Sequence, residues 1–264
     1  MTPITRITPD WWRFARRKRM IAFPGQTGSM PLESWDRCSG EWIAWARAPG
    51  HDSYWRFHRD DFLRLVPPPG RLTLEIGCGE GRVLRDLVRA GHHAVGLDLS
   101  SVLTRAATTH PESVAQVVVA DAVSLPFPDA VADCVVAFMS LQDIEEFEQA
   151  VMEAGRVLTP QGYFILAITH PVNTAGMFEP APTERDRPFV IRGSWFERRI
   201  LIREADRNGY SMTFKMEHRP LQAYADALAE AGFLIERIQE VGEPDHEDKW
   251  SRIPLFLHLR AVRL

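Results

Sequence analysis

Cysteine is scarce in this 264-residue chain: Cys38, Cys78 and Cys134 are the only three, widely spaced and with no Cys-x-x-Cys pair. That excludes a disulfide framework and offers no metal-ligand pattern, so no metal is expected. An odd thiol count with no signal-peptide pattern suits a reducing, cytoplasmic setting. No apolar run approaches the ~18 residues of a membrane span, and no membrane partner is expected. An excess of positive charge is also missing. The 31 basic residues face 35 acidic ones, a formal net charge of −4, which argues against nucleic acid as a partner. Lysine occurs only at positions 18, 215 and 249. What remains, 45% hydrophobic and 25% charged residues, is the composition of a globular protein. The length allows one large domain, or one domain with a cap.

The most informative stretch present is Leu72–Gly81, Leu-Thr-Leu-Glu-Ile-Gly-Cys-Gly-Glu-Gly. Leu72, Leu74 and Ile76 alternate as in a short buried strand. Gly77, Gly79 and Gly81 then allow a tight turn and close backbone approach to a ligand. A helical pattern follows from Arg82. Such a turn between strand and helix is where α/β folds bind nucleotides. The spacing G-x-G-x-G is neither the dinucleotide fingerprint nor a P-loop, which disfavours a nicotinamide oxidoreductase. Glu75 at the strand end would repel a pyrophosphate and attract an ammonium or sulfonium. The second strand, over 93–98, ends in Asp98, placed to reach a ribose diol. The third, Ala115–Asp121, also ends in an acid.

Glu75–Gly81 resembles the glycine motif of class I S-adenosylmethionine-dependent methyltransferases of the small-molecule type. Gly96-Leu-Asp-Leu-Ser100 resembles that family's ribose-binding strand end. Ala120-Asp-Ala122 with Leu125-Pro-Phe-Pro-Asp129 resembles its adenine-binding segment, and Glu153–Gly162 resembles the approach to its fifth strand, with Gln161 where glycine is usual. The resemblance covers about 72–169 and resumes weakly from 219. It implies S-adenosyl-L-methionine as cofactor, S-adenosyl-L-homocysteine as product, and a cofactor site built from Glu75, Gly77, Cys78, Gly79, Gly81, Asp98, Leu99, Asp121, Ala122, Phe138 and Met139.

The expected fold is a doubly wound, mostly parallel α/β sheet of seven strands with helices on both faces. Its first five strands fall near 72–76, 93–98, 115–120, 131–138 and 162–168. A helix is expected over Asp143–Leu158 and another over Pro220–Ala231, stopped by Gly232. The last strands are expected at 233–241 and 253–262, with the resemblance implying that the final one inserts antiparallel. Residues 1–30 read as a flexible tail and 31–70 as a helical lid of two helices about Pro49-Gly50. Residues 71–170 with 219–264 read as the cofactor-binding domain. Residues 171–218 show period-two patterning and read as an antiparallel insertion after the fifth strand, used for substrate binding.

Methyl transfer is an in-line displacement, so the acceptor should meet the cofactor above the ends of strands four and five. His170, after the fifth strand, is the leading base because imidazole titrates near neutrality. His218 and His51 are further candidates, and Asp143 reads as a helix cap. Trp45, Tyr54, Trp55, Ser140, Gln142 and Asn173 are expected against the substrate. The function so read is methyl transfer to oxygen, nitrogen or carbon of a small, aromatic or apolar metabolite in a covered pocket. Two alternatives stay open: a nucleic-acid methyltransferase, although Phe138-Met-Ser-Leu stands where such enzymes favour an Asn/Asp-Pro-Pro-Tyr/Phe segment, and a cofactor-binding protein of the same fold without methyl transfer.

Overall fold

The computed structural model describes residues 31–113 and 116–264. The tail expected over 1–30 and the start of the third strand at Ala115 lie outside the described residues. In chain order the elements are α1 (Pro31–Arg47), α2 (Arg59–Leu63), β1 (Thr73–Ile76), α3 (Arg82–Arg89), β2 (Ala94–Asp98), α4 (Ser101–Thr109), β3 (Gln116–Val119), β4 (Ala132–Phe138), α5 (Phe147–Val157) and β5 (Leu158–Thr169). There follow α6 (Pro171–Ala175), β6 (Gly176–Phe178), β7 (Phe189–Ile191), β8 (Arg199–Arg207), β9 (Tyr210–His218), α7 (Leu221–Glu230), β10 (Phe233–Val241) and β11 (Phe256–Arg263).

Seven strands form one sheet in the order β10-β11-β5-β4-β1-β2-β3. β1 pairs parallel with β2 and β4, and β4 pairs parallel with β5. β11 runs antiparallel between β5 and β10, as the resemblance implied. The central strands are mostly apolar and almost wholly buried because both their faces are covered. On β4, Val135 and Ala137 join the core under α5 and α7, where Phe147, Ala154, Tyr224 and Leu228 pack. Cys134, Val136 and Phe138 join the opposite core, with Tyr54, Phe62, Val83 and Leu87. That split follows from the alternation of side chains along a strand. β1 has β2 on one side and β4 on the other, so the chain changes direction there. In open α/β sheets a crevice for ligands lies at the carboxyl ends of the strands beside such a switch.

Several boundaries differ from expectation for local reasons. A one-turn 3-10 helix, Leu141–Asp143, precedes α5, which starts only at Phe147; Asp143 therefore caps no helix. The second lid helix begins as a π-turn over Tyr54–His58 before α2. β5 starts at Leu158 and bulges against β4, with Gln161 at φ +65° where the family favours glycine. β11 starts at Phe256, after a 3-10 turn at Lys249–Ser251. The insertion contains four strands: β6 pairs with β7, and β8 pairs with β9. Asn208-Gly209, both at positive φ, close the β8–β9 hairpin with Arg207 opposite Tyr210, as an Asn-Gly pair does in a two-residue loop. No helix among the described residues is long and apolar enough to cross a membrane.

Candidate active site

One cavity of about 1720 Å³ opens at the carboxyl ends of β1, β2, β4 and β5. The glycine turn forms its floor. Gly77, Gly79 and Gly81 stand at φ +69°, +55° and +85°, a region that L side chains rarely occupy. A Cβ at Gly77 would lie 2.3 Å from the Ser140 Cβ, so the end of β4 also demands glycine there. Around Gly79 a Cβ would meet only the Trp42 indole nitrogen, at 3.4 Å, because the turn faces the cavity. Gly81 does not line the cavity. It is pressed against Ala107 of α4 and sets the approach of two helices. The Cys78 sulfur is buried over Gly96 of β2, although the residue borders the cavity.

Two carboxyl groups define the electrostatics of the floor. Asp98 accepts the Gly79 N–H at 2.8 Å and the Ser100 N–H at 2.9 Å, which ties the glycine turn to the end of β2. Burial raises its pKa, against the opposing effect of those two bonds. Glu75 is buried, and its Oε2 has no hydrogen-bond partner. Burial, and then the neighbouring Asp98, push its carboxyl well above the usual range. An unpaired buried carboxyl is costly unless a cation or donor reaches it. Asp121 is exposed after β3 and accepts the Val123 N–H. Leu99 and Ala122 border the same end, Leu99 being 40% exposed.

The end of β4 forms the next wall. Met139 lies at φ +56°, a strained conformation for a residue with a side chain, and donates its N–H to Ala167 at 2.8 Å. Ser140 donates to the Ile76 carbonyl, and Gln142 accepts the Thr169 N–H at 2.7 Å. These bonds lock the ends of β1, β4 and β5 together. Asp143 also lines the cavity. Burial pushes its carboxyl well above the usual range, opposed by the Arg219 guanidinium.

Helix α1 and the β8–β9 hairpin form the remaining walls. Trp35, Trp42 and Trp45 border the cavity from α1, and Phe214 and Met216 border it from β9. Trp45 meets Phe214 edge-on at 5.9 Å. The lid residues are fastened by charge. Arg47 pairs with Glu80, Arg82 with Asp52, Arg56 with Glu243, and Arg59 with Asp86, which also accepts the Tyr54 hydroxyl. Arg82 is further held over the rings of Tyr54 and Trp42.

The histidines singled out from sequence do not reach the cavity. His170 caps α6 by accepting the Val172 N–H on Nδ1 and lies 3.1 Å from Glu240 through Nε2. His218 lies fully buried between the Thr174 hydroxyl and the Trp195 carbonyl. His51 is wedged against Trp45 and Tyr210, with neither ring nitrogen bonded. Burial lowers the pKa of all three. None of the three therefore lines the cavity: His170 and His218 are held by hydrogen bonds, and His51 packs against aromatic rings. Tyr54 and Trp55 also lie outside the lining, in the core and against the Ala46 carbonyl, whereas Trp45, Ser140, Gln142 and Asn173 border the cavity. The histidine that does border it is His58, stacked 4.0 Å from Phe256 and 4.6 Å from His258. Burial holds its pKa well below the ordinary value, so it is neutral. Sequence reading missed His58, Arg203, Arg207 and Phe214. The alternation of β8 was the one available signal for the two arginines.

A family profile described as a methyltransferase domain matches residues 74–166, which contain the glycine turn, Asp98, Asp121 and the end of β4. That segment is a methyltransferase domain of the class I S-adenosylmethionine-dependent type. Its cofactor is accordingly S-adenosylmethionine, and the floor fits that group: a cationic ligand is what the unpartnered Glu75 carboxyl lacks. The chain is 32% identical over 117 residues to a demethylmenaquinone methyltransferase of Mycobacterium marinum, covering 44% of this chain and 48% of that one. It is 30% identical over 126 residues to an uncharacterized protein of Methanocaldococcus jannaschii, covering 45% and 48%. The chain thus spans about half the length of these curated relatives. An S-adenosylmethionine-dependent methyltransferase from Mesorhizobium loti shares the fold, with a TM-score of 0.64 at 22% identity over 80% of this chain and 98% of that chain.

Proposed function

We propose that this chain transfers a methyl group from S-adenosylmethionine to a small, largely apolar acceptor enclosed between the sheet ends, α1 and the β8–β9 hairpin. The observation that carries the reading is that the unpaired Glu75 carboxyl and the anchored Asp98 carboxyl share one cavity with the ends of β4 and β5. Asp98 keeps lone pairs beyond its two backbone bonds, and these accept the ribose hydroxyls. Glu75 faces the positive charge of the amino-acid portion. Gly77, Cys78 and Gly79 supply the backbone cradle, Leu99 and Ala122 the apolar walls of the adenine site, and Asp121 an acceptor for its amino group. When bound, S-adenosylmethionine supplies an electrophilic methyl group. The protein's part is alignment and exclusion of water. Phe138 and Met139 border the methyl, and Trp45, Ser140, Gln142 and Asn173 border the acceptor. The residues 31–70 act as a lid and 171–218 as a substrate wall. The aromatic walls, and the quinone-type acceptor named for the Mycobacterium marinum relative, support an aromatic or apolar substrate. The acceptor's proton goes to Asp143, a carboxylate that borders the cavity after the end of β4 and whose pKa burial raises.

Calorimetry tests the reading. S-adenosylhomocysteine should bind and NAD should be silent; the reverse result sinks the proposal. Asp98→Ala should weaken S-adenosylhomocysteine at least about tenfold, because each charge-assisted bond to a hydroxyl contributes about 1.5–3 kcal/mol. An unchanged affinity in the folded variant would remove Asp98 from the site. Binding should also release a proton. A cationic ligand lowers the raised pKa of Glu75, so the group ionises on binding. The binding enthalpy should then vary with the ionisation heat of the buffer, and Glu75→Gln should abolish that variation.

A further inference from the structure

The inner face of β8 carries a cation with no counter-ion among the described residues. Along this strand residues 199, 201, 203, 205 and 207 face inward and the alternate residues face solvent. Arg203 borders the cavity from this face. It donates from Nη1 to the Asn173 side-chain oxygen at 2.8 Å, and from Nη2 to the main-chain carbonyls of Asn173 at 2.7 Å and Gly176 at 3.2 Å. All three partners are neutral. A guanidinium has five N–H donors, so donors remain after these bonds. Burial alone acts on its charge and pulls its pKa down.

The other basic side chains around the cavity are mostly neutralised. Arg56 pairs with Glu243 at 2.7 Å, Arg82 with Asp52 at 2.6 Å and Lys249 with Glu184 at 2.9 Å. Arg207, four residues further along the same inner face, lines the cavity and forms no ion pair among the described residues. The nearby acids are engaged: Glu243 by Arg56, Asp206 by the Ser211 hydroxyl, and Asp248 by the Trp250 N–H. Glu75, Asp98 and Asp121 lie at the β1–β3 side, Asp143 follows the end of β4, and Arg203 lies at the β5 side through Asn173. Burying an unpaired cation is costly, and the Nε–H and the second Nη1–H of Arg203 remain to donate to an anion.

We propose that Arg203 binds a carboxylate on the methyl acceptor and so fixes the acceptor's orientation. This rests on the methyltransferase reading above and adds the acceptor's charge to it. The carboxylate is a handle, since an anion neutralised by a guanidinium is a weak nucleophile; the methyl group goes to another atom of the same molecule. Medium-chain alkanoates and hydroxybenzoates, each paired with its carboxamide, are titrated into the full chain saturated with S-adenosylhomocysteine. At least one acid should bind about tenfold or more tightly than its amide, as a charge-assisted bond predicts. Arg203→Gln should erase that preference, Arg203→Lys should keep part of it, and S-adenosylhomocysteine affinity should be unchanged in both. No preference for any acid in the unaltered chain overturns the proposal, and so does a preference that survives Arg203→Gln. If Arg203→Gln loses S-adenosylhomocysteine as well, Arg203→Lys decides: a lysine variant that binds cofactor but shows the full acid preference overturns the proposal, and a reduced preference supports it. Failure of S-adenosylhomocysteine to bind the unaltered chain refutes the methyltransferase reading instead, and the same acid–amide titration on the unloaded chain then decides the arginine proposal separately.

Discussion

Asp143→Asn should lower kcat by roughly 10²–10⁴, the range for loss of a general base, with S-adenosylhomocysteine affinity largely intact. Asp143 ends the 3-10 turn that follows β4 and borders the cavity. Its carboxyl is pushed well above the usual range by burial. A base works best when its pKa approaches the operating pH, and burial moves a carboxylate in that direction. The sign of the pH dependence follows. Only the carboxylate accepts a proton, so kcat should fall as pH drops through the raised pKa. That acid limb should lie above the ordinary carboxylate range, and Asp143→Asn should remove it. A rate left unchanged by the substitution would mean that alignment and dryness suffice for an already nucleophilic acceptor.

Arg219→Met should destabilise the protein by about 3–5 kcal/mol, the cost of breaking a buried ion pair from one side. Arg219 is fully buried. It donates to Glu217 at 2.5 Å, to the Ile144 carbonyl at 2.6 Å and to the Gln142 carbonyl at 3.2 Å, and lies over the Phe147 ring at 4.4 Å. These carbonyls belong to the turn that carries Asp143. Removing the guanidinium leaves them without a donor in a dry place. Urea unfolding should show a lower midpoint, and kcat should fall at temperatures where the variant is still folded. An unchanged midpoint would show that the turn holds itself without Arg219.

The order of strands and the floor of the site were legible because both are written locally. Alternation of Leu72, Leu74 and Ile76, three glycines in five residues and acids at successive strand ends are short-range patterns. The insertion was legible as strands through its period-two pattern, but β6 spans only three residues and carries too little pattern to be seen. The placement of the histidines was not legible for a different reason. His170 does follow a strand end, yet Pro171 starts a helix there and turns the imidazole into its cap. A one-residue difference in where a helix starts decides whether a side chain faces a cavity or a backbone N–H.

The sequence by itself determined the parallel sheet, the glycine turn, the acidic strand ends and the kind of cofactor they suit, since each depends on residues close together in the chain. Tertiary structure alone decided what stands opposite that floor. Trp42 and Phe214 lie far apart in sequence and meet at 6.4 Å; Asp143 and Arg219 become neighbours only when β9 returns to the end of β4. Arg203 gains its neutral partners only because the hairpin folds back over Asn173. The charge and burial of a side chain depend on everything packed around it, and a linear pattern does not carry those distances.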